Sequence, residues 1–232
     1  MKIAMSNDGV FYTLQGEGPL IGKPAIFVRT TGCNAKCVWC DTPYTTFPDQ
    51  LEKDVRDTWA VADDIIELIK QHDCHLIVFT GGEPMLQQKA LYQIAELAQA
   101  GTKQPLRIQF ETNGSIAPDD GLDWSRFDTC WVVSPKEAFA GNEQLDVAVD
   151  CSFYRADINS VFKVVHEFNS PKSDQRIFDL MNKVSRELIM VMPEGWTFNQ
   201  MHYLHTAEFC KKHGLTMTSR LHTLIWGHAR GT

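Results

Sequence analysis

The stretch AIFVRTTGCNAKCVWCDT, residues 25–42, runs from an apolar, β-branched segment straight into three closely spaced thiols. Cys33, Cys37 and Cys40 have the spacing C-x3-C-x2-C, with Asp41 and Thr42 immediately after. Three thiolates can hold a four-iron cluster and leave one iron without a protein ligand. An open metal position is where chemistry takes place. The same spacing also suits a structural zinc site whose fourth ligand lies elsewhere, with His72, Cys74 and His75 as candidates. Spacing alone leaves both readings open.

Working outward, apolar β-type runs recur at residues 25–31, 76–80, 107–112, 129–134, 161–165 and 188–192. They are near-continuous rather than alternating, the pattern of strands covered on both faces. Amphipathic helical patterns lie between several of them. Val61, Ile65, Leu68 and Ile69 share one face within 58–71, and Leu91, Ile94, Leu97 and Ala98 share one within 86–99. Residues 174–187 and 199–213 are two more, the latter stopping at Gly214 as a C-cap. Strand–helix alternation predicts an α/β fold with a parallel sheet. About six strands and three to four outer helices suit a partial (abridged) parallel β/α barrel rather than a full eightfold one. The connections 113–128 and 136–160 read as poor in helix; Pro118, Asp119, Asp120 and Gly121 punctuate the first, and Gly141 and Asn142 mark a turn in the second. With no repeat and no linker composition, residues 1–232 read as one domain.

The charge balance narrows the partners. With 22 Lys and Arg against 29 Asp and Glu, the formal charge is −7. That argues against nucleic-acid and anionic-membrane binding, which want a basic surface. No segment reaches the roughly 20 apolar residues of a membrane span. The first ten residues carry Asp8 and no apolar core, so no signal peptide is expected and the location reads as cytoplasmic. Seven cysteines, an odd number, with Cys74, Cys130, Cys151 and Cys210 scattered, indicate a reducing compartment without a disulfide framework.

In parallel α/β folds ligands bind at the carboxyl ends of strands. Polar and glycine-rich residues collect there: Thr31-Gly32, Thr80-Gly81-Gly82-Glu83-Pro84, Glu111-Thr112-Asn113-Gly114, Ser134-Pro135-Lys136, His166-Glu167 and Pro193-Glu194-Gly195. Each by itself reads as a turn. Six in register with a cysteine cluster converge on one mouth. Gly81-Gly82 lets backbone approach a ligand closely, and Glu83 offers a carboxylate to a ligand ammonium.

Two of these motifs together resemble the radical S-adenosylmethionine (SAM) enzymes: Cys33-x3-Cys37-x2-Cys40 with Trp39 before the third cysteine, and Gly81-Gly82-Glu83-Pro84. Residues 14–18 (LQGEG), Arg29, Cys40-Asp41-Thr42, Ser134-Pro135-Lys136 and residues 221–227 (LHTLIWG) narrow the likeness. From residue 11 to about 228 the chain resembles the 7-carboxy-7-deazaguanine synthase family.

That resemblance implies a ring contraction of 6-carboxy-5,6,7,8-tetrahydropterin, with loss of ammonia, on the route to deazapurines such as queuosine. It implies a 4Fe–4S cluster on Cys33, Cys37 and Cys40, SAM on the open iron, and a 5′-deoxyadenosyl radical that takes hydrogen from C6 and returns it. Trp39, Asp41, Gly82, Glu83, Ser134, Pro135 and Lys136 are the SAM-facing positions it implies. Leu14, Gln15, Gly16, Glu17, Arg29, Thr80 and His222 are its pterin positions, and Thr42 its Mg²⁺ contact. Glu111 is a weaker candidate. A guanidinium at Arg29 suits a substrate carboxylate, and Gln15 with Glu17 suits the donors and acceptors of an aminopyrimidinone. A homodimer and an electron donor such as flavodoxin are also implied. A glycyl-radical activating enzyme shares the cysteine spacing but does not account for residues 14–18 or the 222–227 tail. An electron carrier would need no Gly-Gly-Glu turn and would give its cluster four protein ligands.

Overall fold

A computed structural model describes residues 1–37, 39–136, 154, 159–195 and 197–232. Most of the 136–160 connection, including the turn expected at Gly141-Asn142, lies outside them. The six expected strands are present as β2 (Pro24–Thr30), β4 (Leu76–Gly81), β5 (Arg107–Thr112), β6 (Asp128–Val133), β7 (Ser160–His166) and β8 (Ile189–Pro193). All six pair in parallel in that order, and a short β9 (Thr216–Met217) adds to β8.

Two further strands extend the sheet to nine among the described residues. β1 (Lys2–Leu14) runs antiparallel to β2, and β3 (Asp54–Asp57) antiparallel to β1. Neither advertises itself. β3 reads Asp-Val-Arg-Asp, and β1 is broken by polar residues where its pairing slips between Met5 and Val10. That irregularity places Gly9, at φ +48°, and Asp8 in a bulge opposite Arg29. A bulge re-aims a side chain, and here it brings Asp8 to Arg29.

Among the described residues four helices longer than ten residues cover the sheet: α1 (Thr58–His72), α2 (Gln88–Ala100), α3 (Pro171–Met181) and α4 (Gln200–His213). A six-residue α5 (Leu221–Trp226) follows β9. α4 stops where expected, with Gly214 left-handed at φ +65°. α3 starts three residues earlier than its apolar pattern indicates, because Ser170 caps the Ser173 N–H and Pro171 takes the first turn. α1 buries Val61, Ile65 and Ile69 and α2 buries Leu91, Ile94 and Ala98, whereas Leu97 is turned out to solvent. No described helix is long and apolar enough to cross a membrane.

Alternation along each strand divides the two faces. Ile26, Val28, Ile108 and Phe110 join the buried apolar core, with Phe110 stacked on Trp131 at 4.4 Å. Phe27, Arg29, Glu111, Lys163 and Val165 face inward and line a cavity. The sheet must curl to enclose it. β1 and β9 are seven strand steps apart, about 34 Å if the sheet were flat. Yet the Leu221 N–H donates to the Gly16 carbonyl at 2.8 Å, and the Gly18 N–H to Thr218 Oγ1 at 3.0 Å. The loop after β1 thus bridges the open side of a partial barrel.

Candidate active site

The inward faces and the carboxyl-end loops enclose a cavity of about 440 Å³. Cys33, Cys37 and Cys40 line it, as do Leu14, Gln15, Gly16, Glu17, Arg29, Trp39, Asp41, Thr42, Thr80, Gly82, Ser134, Lys136 and His222. Leu14 to Glu17 reach it from an unexpected direction. They follow the strand that runs against the others, so they enter from the amino-terminal side of the parallel strands rather than from their carboxyl ends.

Backbone contacts fix the cysteine loop. The Gly32 N–H donates to the Thr45 carbonyl at 2.8 Å and the Glu83 N–H to the Gly32 carbonyl at 2.8 Å. A Cβ on Gly81 would sit 2.0 Å from the Thr30 oxygen, and one on Gly82 2.1 Å from the Gly32 oxygen. The double glycine therefore lets one loop seat on another, besides lining the cavity. Two candidates do not line the cavity. Glu83 is fully buried and does not line the cavity. Its carboxylate accepts from the Met85 N–H (3.0 Å), Thr112 Oγ1 (2.8 Å) and the Asn113 N–H (2.7 Å), so it ties the turn to the end of β5. Pro135 is not among the lining residues either.

The thiols suit an iron–sulfur cluster. Burial, first of all, pushes the Cys33 thiol up to about 12, so a thiolate there needs a cationic partner. A single tetrahedral zinc would draw the sulfurs to about 3.8 Å from one another, given Zn–S bonds near 2.3 Å. Among the described residues, however, the group that brings three ligating atoms within 4.8 Å is His166, Asp174 and His205, not the cysteines. The proposed zinc partners are also misplaced. Cys74 donates to the Pro24 carbonyl at the start of β2, His72 stacks on Tyr12, and His75 meets Thr102. The cysteine loop leaves the other end of β2, about 20 Å away at 3.3 Å per residue. The His166 group is itself no cage. Its two imidazoles stack 4.9 Å apart, 6° from parallel, so the ring planes in which their lone pairs are directed do not meet near the two rings.

Facing the thiols, Lys136 donates to Ser134 Oγ at 2.8 Å and lies over the Trp39 ring at 5.1 Å. Burial lowers its pKa, and Cys37 and Asp41 oppose the shift. Thr42 Oγ1 receives the Thr45 hydroxyl at 3.3 Å and lies 3.8 Å from Cys40 Sγ. Deeper in, Lys163 donates to Glu17 and, at 2.7 Å, to Glu111. Glu111 also accepts from Gln109 (2.6 Å) and Gln15 (3.1 Å), and Arg220 lies 3.5 Å from Glu17. Burial alone would raise Glu17, but Lys163, Arg220 and His222 outweigh it and hold its pKa at about 2. Burial and the neighbouring Glu17 charge push Glu111 upward. Burial also lowers His222, whose ring packs on Gly16: a Cβ there would lie 2.0 Å from His222 Nδ1. At the mouth, Arg29 Nε sits 3.1 Å from Asp8. Arg230 reaches Asp8 (3.2 Å) and Glu52 (2.7 Å) and lies 3.6 Å over Tyr44.

The radical SAM superfamily model matches residues 27–123. The chain is 32% identical to the 7-carboxy-7-deazaguanine synthase of Hyperthermus butylicus, covering 93% of this chain and 90% of that one. It is 31% identical to the synthase of Pyrobaculum aerophilum, over 96% and 95% of the two chains. The chain belongs to the 7-carboxy-7-deazaguanine synthase family. The synthase of Halobacterium salinarum is 29% identical over 99% of this chain and 93% of its own. The crystal structure of QueE from Escherichia coli shares the fold, with a TM-score of 0.67 at 21% identity, covering 96% of this chain and 95% of that one. In this member of the synthase family, Lys163 and Arg220 line the cavity and Asp8 pairs with Arg29, and sequence reading passed over all three. Lys163 did carry a signal: it is the one charge in the otherwise apolar run 161–165, and an unneutralised lysine is rarely buried. Arg220 and Asp8 carried none, since their relevance depends on which strands the fold brings together.

Proposed function

We propose that this chain is a radical SAM lyase converting 6-carboxy-5,6,7,8-tetrahydropterin to 7-carboxy-7-deazaguanine with loss of ammonia. One observation carries the reading beyond family membership. A single cavity joins three thiols to an arginine, a glutamine and paired carboxylates able to read a carboxylated aminopyrimidinone. When bound, a 4Fe–4S cluster with SAM would supply the reversible hydrogen-atom abstraction that the ring contraction needs.

The protein's part is binding, orientation and exclusion of water. Cys33, Cys37 and Cys40 hold the cluster. Trp39, Asp41, Gly82, Ser134 and Lys136 face SAM. Arg29 pairs with the substrate carboxylate, which competes with Asp8 for the guanidinium. Gln15 and Glu17 read the aminopyrimidinone edge, with Leu14, Gly16, Thr80 and His222 closing around the ring. Thr42 would offer its hydroxyl to a Mg²⁺, a hard cation suited to oxygen ligands. A homodimer, a cytoplasmic location and a flavodoxin-type electron donor complete the reading.

The test is Arg29→Ala. A charge-assisted hydrogen bond is worth about 1.5–3 kcal/mol, so pterin affinity should fall about 10- to 150-fold while uncoupled SAM cleavage to 5′-deoxyadenosine persists. Unchanged pterin affinity would count against the carboxylate pairing. Cys37→Ala should abolish SAM cleavage in a chain that remains folded.

A further inference from the structure

Lys163 stands alone on β7 as a buried ammonium between two carboxylates that come from distant parts of the chain. Glu17 follows β1, Glu111 lies near the end of β5, and a single Nζ donates to both. All three side chains are buried but still reach the cavity, with 6% of Lys163, 14% of Glu17 and 15% of Glu111 exposed. Glu111 Oε1 is already used by Gln15 and Gln109, whereas among the described residues its Oε2 takes only Lys163. Each carboxylate oxygen has two lone pairs, so Glu111 Oε2 and Glu17 retain acceptor capacity towards the cavity.

Two carboxylates bonded to one nitrogen lie within about 5 Å of each other, and like charges that close in a buried site share a proton unless a cation intervenes. A protonated partner would present an O–H donor where the ligand presents N–H groups. We infer that Lys163 is a positioning residue that holds Glu17 and Glu111 together as two charged acceptors and so sets the cavity's selectivity for a ligand edge rich in N–H donors. This rests on the function proposed above, in which that edge is the 2-amino-4-oxo face of the pterin. The other charged groups facing the pair are Arg220 and His222 beside Glu17, with Lys136 on the thiol side of Lys163. Of the two carboxylates Arg220 lies beside Glu17, while Glu111 is paired with Lys163.

The test measures pterin binding to the cluster-loaded enzyme anaerobically from pH 6 to 9. The probes are 6-carboxytetrahydropterin and its dioxo counterpart, in which oxygen replaces the 2-amino group. In Lys163→Met, pterin affinity should fall about 10- to 100-fold at pH 6 and recover as pH rises and the shared proton is lost. Discrimination against the dioxo ligand should shrink in parallel. Lys163→Arg should restore most of both. Lys163→Met combined with Glu111→Gln keeps the buried charge balanced, and it should fold but bind the pterin weakly at every pH. SAM affinity should be unchanged throughout. A Lys163→Met enzyme with wild-type affinity and selectivity would overturn the inference, as would a loss that is independent of pH and not relieved by arginine. Wild-type enzyme that binds no pterin would instead sink the substrate assignment.

Discussion

Replacing Glu83 tests whether the turn after β4 is held by the protein or by its ligand. The fully buried carboxylate accepts three hydrogen bonds, two of them from the backbone N–H groups of Met85 and Asn113. Glu83→Ala leaves those two N–H donors without partners in a site closed to solvent. A buried unsatisfied donor costs about 1–3 kcal/mol, so the pair costs about 2–6 kcal/mol. The Thr112 hydroxyl can turn elsewhere and adds little. For a chain of this size each kcal/mol moves Tm by about 2–4 °C, so a mid-range loss of 4 kcal/mol lowers it by about 8–16 °C. Glu83→Gln should cost roughly half as much, because the amide must point its NH₂ at one of the two backbone donors. The assay is thermal unfolding by circular dichroism of cluster-loaded wild type and both variants, with SAM affinity measured on the same samples. Unchanged Tm in Glu83→Ala together with a lost SAM affinity would refute the reasoning and return Glu83 to the ligand-binding role its position in the motif suggests.

Gly82→Ala should strip the cluster rather than unfold the domain. The new methyl would lie 2.1 Å from the Gly32 oxygen and push the cysteine loop off its seat, which iron content per chain would report. Stability should also fall in mild acid because of His166. Burial, opposed by Asp174, lowers its pKa below 6.5, so the unfolded chain takes up that proton first. The contribution is full above pH 6.5 and lost as pH drops towards the folded value, by at most about 1.4 kcal/mol at pH 5.5. Between pH 7.5 and 5.5 the urea midpoint of wild type should therefore fall more steeply than that of His166→Gln. Removing Mg²⁺ should slow turnover without changing iron content, and an enzyme indifferent to Mg²⁺ would remove Thr42 from the proposed site.

The parts of this protein legible in its sequence are those with dense local signals. β2, β4, β5, β6, β7 and β8 are buried on both faces and so appear as short apolar runs. β1 and β3 lie at the sheet's antiparallel edge, carry polar residues and a bulge, and look like loop. The amphipathic period finds α1 and α2, but it cannot tell that Leu97 faces water and Leu91 the core, because both fall within the width of an apolar stripe. Motif spacing marks the cysteines and the glycine turn, but not that Gly81 and Gly82 are small in order to admit the backbone of Thr30 and Gly32. Of the charged floor of the cavity, the family likeness marks Glu17 and Glu111 but not Lys163 and Arg220. Lys163, Glu17, Glu111 and Arg220 come from four separate segments, and only the curl of the sheet makes them neighbours.

The most direct test of the proposed function is anaerobic turnover. Cluster-loaded protein is given a reductant, Mg²⁺, SAM and 6-carboxy-5,6,7,8-tetrahydropterin, and products are followed by liquid chromatography and mass spectrometry. The account predicts many molecules of 7-carboxy-7-deazaguanine for each SAM consumed. SAM cleaved to 5′-deoxyadenosine with no deazaguanine formed would contradict the substrate, and no SAM cleavage by an intact cluster would contradict the radical chemistry itself.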